Sequence, residues 1–118
     1  MPPRPLTRLR KICLALPEAT EVEAWGEPTF RAKKMFAMFA SPKTHHGRGR
    51  PAVWFKATAA DQARMIGAAP ESYFIPPYVG KSGWVGAWLD DVADWEELAE
   101  FLRDAYRSIA PKRLLDQL

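Results

Sequence analysis

The sequence predicts an α+β domain of two layers, a mainly antiparallel β-sheet with helices packed on one face. Three observations lead there. Strand-like segments cluster and are joined by short loops instead of alternating regularly with helices. The two ends of the chain carry apolar residues at helical spacing. The 118 residues, 47% hydrophobic, suit one core that buries about two thirds of the surface an unfolded chain exposes. Residues 1–118 are therefore read as a single domain, with the order α-β-β-β-α-β-β-α and room for a fourth strand before the second helix.

Leu6, Leu9, Ile12, Cys13 and Leu16 share one face of a helix, so Pro5 to Leu16 reads as amphipathic and Pro17 stops it. "TEVEAW" alternates as a strand and is broken by Gly26 and Pro28. "TFRA" and "MFAMFA" follow as two strands around a tight turn at Lys33-Lys34, which lacks the glycine or asparagine such turns favour. The polar, glycine-bearing loop "SPKTHHGRGRP" is a surface excursion, and "AVWFKA" is the next strand. Thr58 with Asp61 caps a helix that ends near Gly67. "SYFIPP" is a short extended piece. "GWVGAWLD" alternates Trp84, Gly86 and Trp88 on one face with Val85, Ala87 and Leu89 on the other. Asp94 and Glu97 form a capping box for a last helix, whose buried stripe is Leu98, Phe101, Leu102, Ala105 and Ile109, and Pro111 closes it.

Composition narrows the function classes. No apolar run approaches a membrane span, the first residues do not make a convincing signal peptide, and a cytoplasmic protein is expected. The single Cys13 excludes an internal disulfide and a multi-cysteine zinc site, and its place on an apolar helix face makes it a buried, inert thiol. The net charge is +3, unevenly spread. From Pro28 to Ala60 there are seven basic residues (Arg31, Lys33, Lys34, Lys43, Arg48, Arg50 and Lys56), both histidines and no acid. Such segregation sets up a field that attracts a polyanion, although charge runs are also commonly mere solvated faces.

Motifs that carry chemistry are few. Gly80-Lys81-Ser82 ends like a phosphate-binding loop, but Ile75 stands where the motif needs glycine, Pro76 and Pro77 offer no amides, and a strand follows in place of a helix. His45-His46 lacks further metal ligands in its basic loop. Asp90-Asp91 and Glu96-Glu97 are accounted for by a strand end and a helix first turn. No nucleophile and base have a defensible spacing. No catalytic residue, metal site or cofactor is expected, and the chain is read as non-enzymatic. Of the five tryptophans, Trp84 lies between Lys81 and a strand, where it is either a core residue or a stacking surface for a base or ligand.

Three segments, "LPEATEVEAWGEPTFRAKKMFAMFA", "PPYVGKSGWVGAWLDD" and "DAYRSIAPKRL", resemble the MmcQ/YjbR family of small bacterial proteins, in matching order over most of the chain. The second is the most specific, through Pro77-Tyr78, Lys81 and Gly83-Trp84-Val85. Family members usually carry glycines before "KMFA", where this chain has Ala32-Lys33. The resemblance implies a fold like that of the type III secretion chaperones, with two hairpins described as a double wing suited to DNA. The family label DNA-binding rests largely on that fold analogy, and the resemblance transfers no catalytic residue.

The leading expectation is a DNA-binding protein whose wings contact the phosphate backbone with little sequence specificity. Arg31, Lys33, Lys34, Lys43, Arg48, Arg50 and Lys81 are the expected phosphate contacts, with His45, His46 and Trp84 as adjuncts. The alternative is a protein-interaction or small-ligand module built on an aromatic surface around Tyr78, Trp84 and Trp88, a reading that also accommodates a homodimer.

Overall fold

A computed structural model describes residues 4–118. Four helices and six strands follow in the order α1 (Pro5–Cys13), β1 (Thr20–Ala24), β2 (Glu27–Ala32), β3 (Lys34–Ala40), β4 (Ala52–Phe55), α2 (Ala59–Ala68), β5 (Tyr73–Phe74), β6 (Val85–Trp88), α3 (Trp95–Ile109) and α4 (Lys112–Leu115). The strands make one antiparallel sheet, ordered β1-β2-β3-β4-β6-β5. The fold class is the expected one.

Capping behaves as the sequence implies. The Thr58 and Asp94 side chains accept from the Asp61 and Glu97 amides, both at 3.1 Å, and so satisfy donors that a helix start leaves free. Several details differ. Four strands precede α2, the larger of the two counts the sequence allows, and the first two, "TEVEA" and "EPTFRA", pair with each other as a hairpin. Pro28 does not break the sheet. It pairs with Glu23 in β2 just before the first β3 pair, Thr29 with Met38, where its missing N–H costs no ladder bond to β3. The first helix ends at Cys13, three residues before Leu16, in a turn that still buries Leu16. Beyond Pro111 the chain makes the short α4, whose Leu114 joins the core.

All four helices lie against one face of the sheet. The main core there joins Leu9 and Cys13 of α1, Met65 of α2, Leu98, Leu102, Ala105 and Tyr106 of α3 and Leu114 of α4 to Phe30, Phe36, Phe39, Val53, Phe55 and Val85 of the strands. Burial also pushes the Cys13 thiol far above its ordinary pKa, which leaves it inert at neutral pH.

The opposite face bears no helix, yet it is apolar. Met38, Ala40, Ala52, Trp54 and Trp84 form a second cluster there, with Met35, Phe74, Val79 and Trp88 packed around it. A register shift in the β2–β3 ladder prepares this face. Phe30 pairs with Ala37 and Arg31 with Met35, so Phe36 is skipped. A bulge of this kind reverses the alternation of the strand. Phe36 and Ala37 both join the helix-side core, and Met35 and Met38 both join the other face.

Candidate functional site

The segments that cross the helix-free face wall in a half-open cavity of about 550 Å³. Met35 and Met38 of β3, Trp54 of β4 and Trp84 beside β6 line its base. Trp25, from the β1–β2 turn, and Tyr78 with Val79, from the segment before β6, line it further, and the β3–β4 loop adds His45 and His46. A volume in this range and predominantly apolar walls are the marks of a small-molecule pocket.

Two wall residues stand out by their backbone. Trp25 and Tyr78 are 66% and 70% exposed, and both hold left-handed conformations, at φ 55° and 66°. A bulky side chain there carries strain of the order of 1–2 kcal/mol, and strain of this kind concentrates at ligand clamps. Each belongs to a turn that fixes it, and the two-residue link between Ala24 and Glu27 is of the kind that calls for positive φ at both positions. Trp25 precedes Gly26, itself at φ 76°. Tyr78 enters a single 3₁₀ turn, Gly80–Ser82, that ends at Gly83 with φ 89°. Gln62 of α2 fastens this turn, its amide donating to the carbonyls of Gly80 at 2.8 Å and Trp84 at 2.7 Å.

The polar end of the cavity is built around a residue that sequence reasoning passed over. Glu27, 1% exposed at the start of β2, directs Oε2 at three groups of the β3–β4 loop. It accepts from the Ser41 amide at 3.0 Å and the Thr44 hydroxyl at 2.7 Å, and it lies 2.9 Å from His46 Nδ1. Loop bonds from Arg48 N to Thr44 O and from Gly49 N to Pro42 O complete the arrangement. The His45 ring lies against that of His46, tilted by 38° with centroids 4.0 Å apart, and His46 meets Trp54 edge to face at 5.4 Å. Trp54 Nε1 is the one buried side-chain nitrogen or oxygen among the described residues without a hydrogen-bond partner.

The expected phosphate contacts fall into separate groups. Lys33 and Lys34 are exposed at the β2–β3 turn, and Lys81 is exposed before β6, toward the same end of the sheet. Lys43 and Arg48 are exposed in the β3–β4 loop, beyond the far end of β3. Seven residues of strand put about 20 Å between these ends. Arg50 is engaged in a bidentate bond to Asp90, at 2.6 and 3.1 Å, and lies 4.1 Å over the Trp88 ring. Arg31 donates to Thr29 Oγ1 at 3.1 Å. His46 and Trp84 belong to the cavity wall, with Trp84 only 7% exposed. Of the expected aromatic surface, Tyr78 and Trp84 share the cavity, whereas Trp88 is held outside it between Arg50 and Phe74, whose ring stacks on it at 4.3 Å and covers Gly86 so closely that a Cβ there has no room. No cluster of three or more metal-ligating side chains occurs among the described residues.

The YjbR family model matches residues 14–108. The chain belongs to the YjbR family. Among solved structures, it is similar to the crystal structure of the Deinococcus radiodurans protein DR2400, which carries the domain DUF419, with a TM-score of 0.76, 21% identity, and 97% of this chain and 89% of the other covered. That likeness is one of fold. A search of curated proteins found no match. No helix among the described residues is long and apolar enough to cross a membrane.

The segments that mark the family have structural employment. The opening Leu16-Pro17-Glu18 meets the closing "DAYRSIAPKR": Tyr106 donates to the Pro17 carbonyl at 2.7 Å, and Arg113 grips Glu18 at 2.6 and 3.0 Å. "PPYVGKSGW" supplies one wall of the cavity, and "WGEP" supplies Trp25 and Glu27.

Proposed function

We propose that this protein is a non-enzymatic binder of a small, planar, largely apolar molecule, held on the helix-free face of the sheet. The observation that carries the reading is the pair of exposed aromatic residues, Trp25 and Tyr78, held in left-handed backbone conformations at the wall of an apolar cavity. Burying this face in a second sheet or helix layer needs no such clamps, whereas a flat ligand gains contact area from them at small entropic cost. The test is calorimetric titration with 2-naphthol. Saturable 1:1 binding is expected, lost on filling the cavity by Met35→Trp and weakened by Trp25→Ala and Tyr78→Ala. Absence of saturable binding, or binding indifferent to all three substitutions, rejects the reading.

A second reading, non-specific contact with DNA, draws on Lys33, Lys34, Lys43, Arg48 and Lys81, which are exposed and make no ion pair among the described residues. Their division between two ends of the sheet limits how many phosphates one rigid footprint reaches. Binding to mixed-sequence duplex should weaken with salt by roughly 0.9 logarithmic units per phosphate neutralised. The variant Lys33→Ala, Lys34→Ala, Lys43→Ala, Arg48→Ala should flatten that slope. An unchanged slope, or no binding at low salt, removes this reading.

A further inference from the structure

The cavity is apolar except at its histidine end, and there one hydrogen-bonding position is fixed and left open. Because Glu27 is buried and already accepts from the loop, a carboxylate there favours the tautomer of His46 that carries its proton on Nδ1. In the neutral ring that leaves Nε2 as an acceptor. Nε2 makes no hydrogen bond among the described residues and keeps a little exposure, on a ring that lines the cavity. Around the ring stand His45, 4.0 Å away between centroids, and Trp54, edge-to-face with it and with its own buried Nε1–H unpartnered, and beyond them the wall is Met35, Met38 and Trp84.

Resting on the cavity being a ligand site, we infer that His46 Nε2 accepts a hydrogen bond from the ligand, whose class is therefore a planar aromatic carrying a hydroxyl or ring N–H, as a phenol or an indole does. Glu27 is the positioning residue: it sets the tautomer and holds the ring edge toward the cavity, as a carboxylate behind a histidine commonly does. A ligand with only an acceptor at that position meets lone pair against lone pair, and a purely hydrocarbon ligand leaves Nε2 desolvated without a partner. The ligand thus pairs a flat apolar body, for Trp25, Tyr78 and Trp84, with one donor at its edge.

Three ligands of nearly equal shape separate the possibilities: 2-naphthol, 2-methoxynaphthalene and naphthalene, titrated calorimetrically into the full chain. The wild type should bind 2-naphthol about tenfold more tightly than either of the others. His46→Phe should bind all three alike. Should that variant not fold, the wild type still decides: the nitrogen resonance of His46 Nε2 should move with 2-naphthol and stay with 2-methoxynaphthalene. Equal affinity for the three ligands, or an Nε2 resonance unmoved by bound 2-naphthol, overturns the hydrogen-bond assignment while leaving the cavity as a ligand site. Failure of all three to bind removes the ligand site itself.

Discussion

Glu27 Oε2 and His46 Nδ1 lie 2.9 Å apart, both almost wholly buried and 19 positions apart in the chain. The pair couples β2 to the β3–β4 loop, so the loop richest in glycine and charge is fixed at its centre. Replacing Glu27 with Ala leaves the Ser41 amide and the His46 ring without their acceptor, and the Thr44 hydroxyl with the Ser41 carbonyl alone. The expected cost is about 3 kcal/mol of stability, measured by denaturant unfolding. Amides of residues 43–50 should lose hydrogen-exchange protection before those of β3 and β4 do.

Trp25 separates binding from stability. Trp25→Gly removes an exposed side chain and relieves a left-handed backbone, so stability should hold or rise by up to about 1 kcal/mol while affinity for 2-naphthol falls. Thermal unfolding and titration of the same preparation check both halves. A large loss of stability means that Trp25 serves packing instead.

Tyr106→Phe keeps the ring packed edge-on against Phe36, with centroids 5.6 Å apart, and removes only the bond to the Pro17 carbonyl. The expected loss is about 1 kcal/mol by chemical denaturation, with 2-naphthol binding unchanged. The family-marking ends of the chain would then be structural and separable from the cavity.

Acid should destabilise the protein through its arginine-paired carboxylates. Hydrogen bonds from Arg10 and Arg50 hold Glu21 and Asp90 below their ordinary values of 4.5 and 3.8. A carboxylate whose pKa is lower folded than unfolded adds stability that is fully present above the unfolded value and lost as pH falls through the folded one. Melting temperature should therefore be level from pH 6 to 8 on this account and decline below about pH 4.5. Arg50→Ala should lower it near neutrality and shrink that acid decline. Because Arg50 is committed to Asp90 and Trp88, the same substitution should leave the salt slope of any DNA binding unaltered.

How far the sequence was legible depended on whether the signal was local. Caps at Thr58 and Asp94 and the two faces of β6 obey short-range rules, and both were read correctly. The doubly apolar sheet was missed, although "KMFAMFA" and "AVWF" carry its mark: a strand buried on both faces shows a continuous apolar run instead of alternation. The Glu27–His46 pair and the meeting of Trp25 and Tyr78 at one cavity depend on distant segments coming together, and no spacing rule contains them. The acid-free stretch was visible as composition, but a strand of seven residues runs through it and separates its charges.

The central claim is that a small aromatic ligand occupies the helix-free face between Trp25 and Tyr78. The most direct measurement is a heteronuclear NMR titration with 2-naphthol that follows the methionine methyls and the tryptophan indole N–H groups. The account predicts saturable 1:1 shifts at Met35, Met38, Trp25, Trp54 and Trp84, with Met65 and Trp95 on the helix side unmoved. Shifts spread over both faces, or none at Met35 and Met38 at saturating ligand, would contradict it.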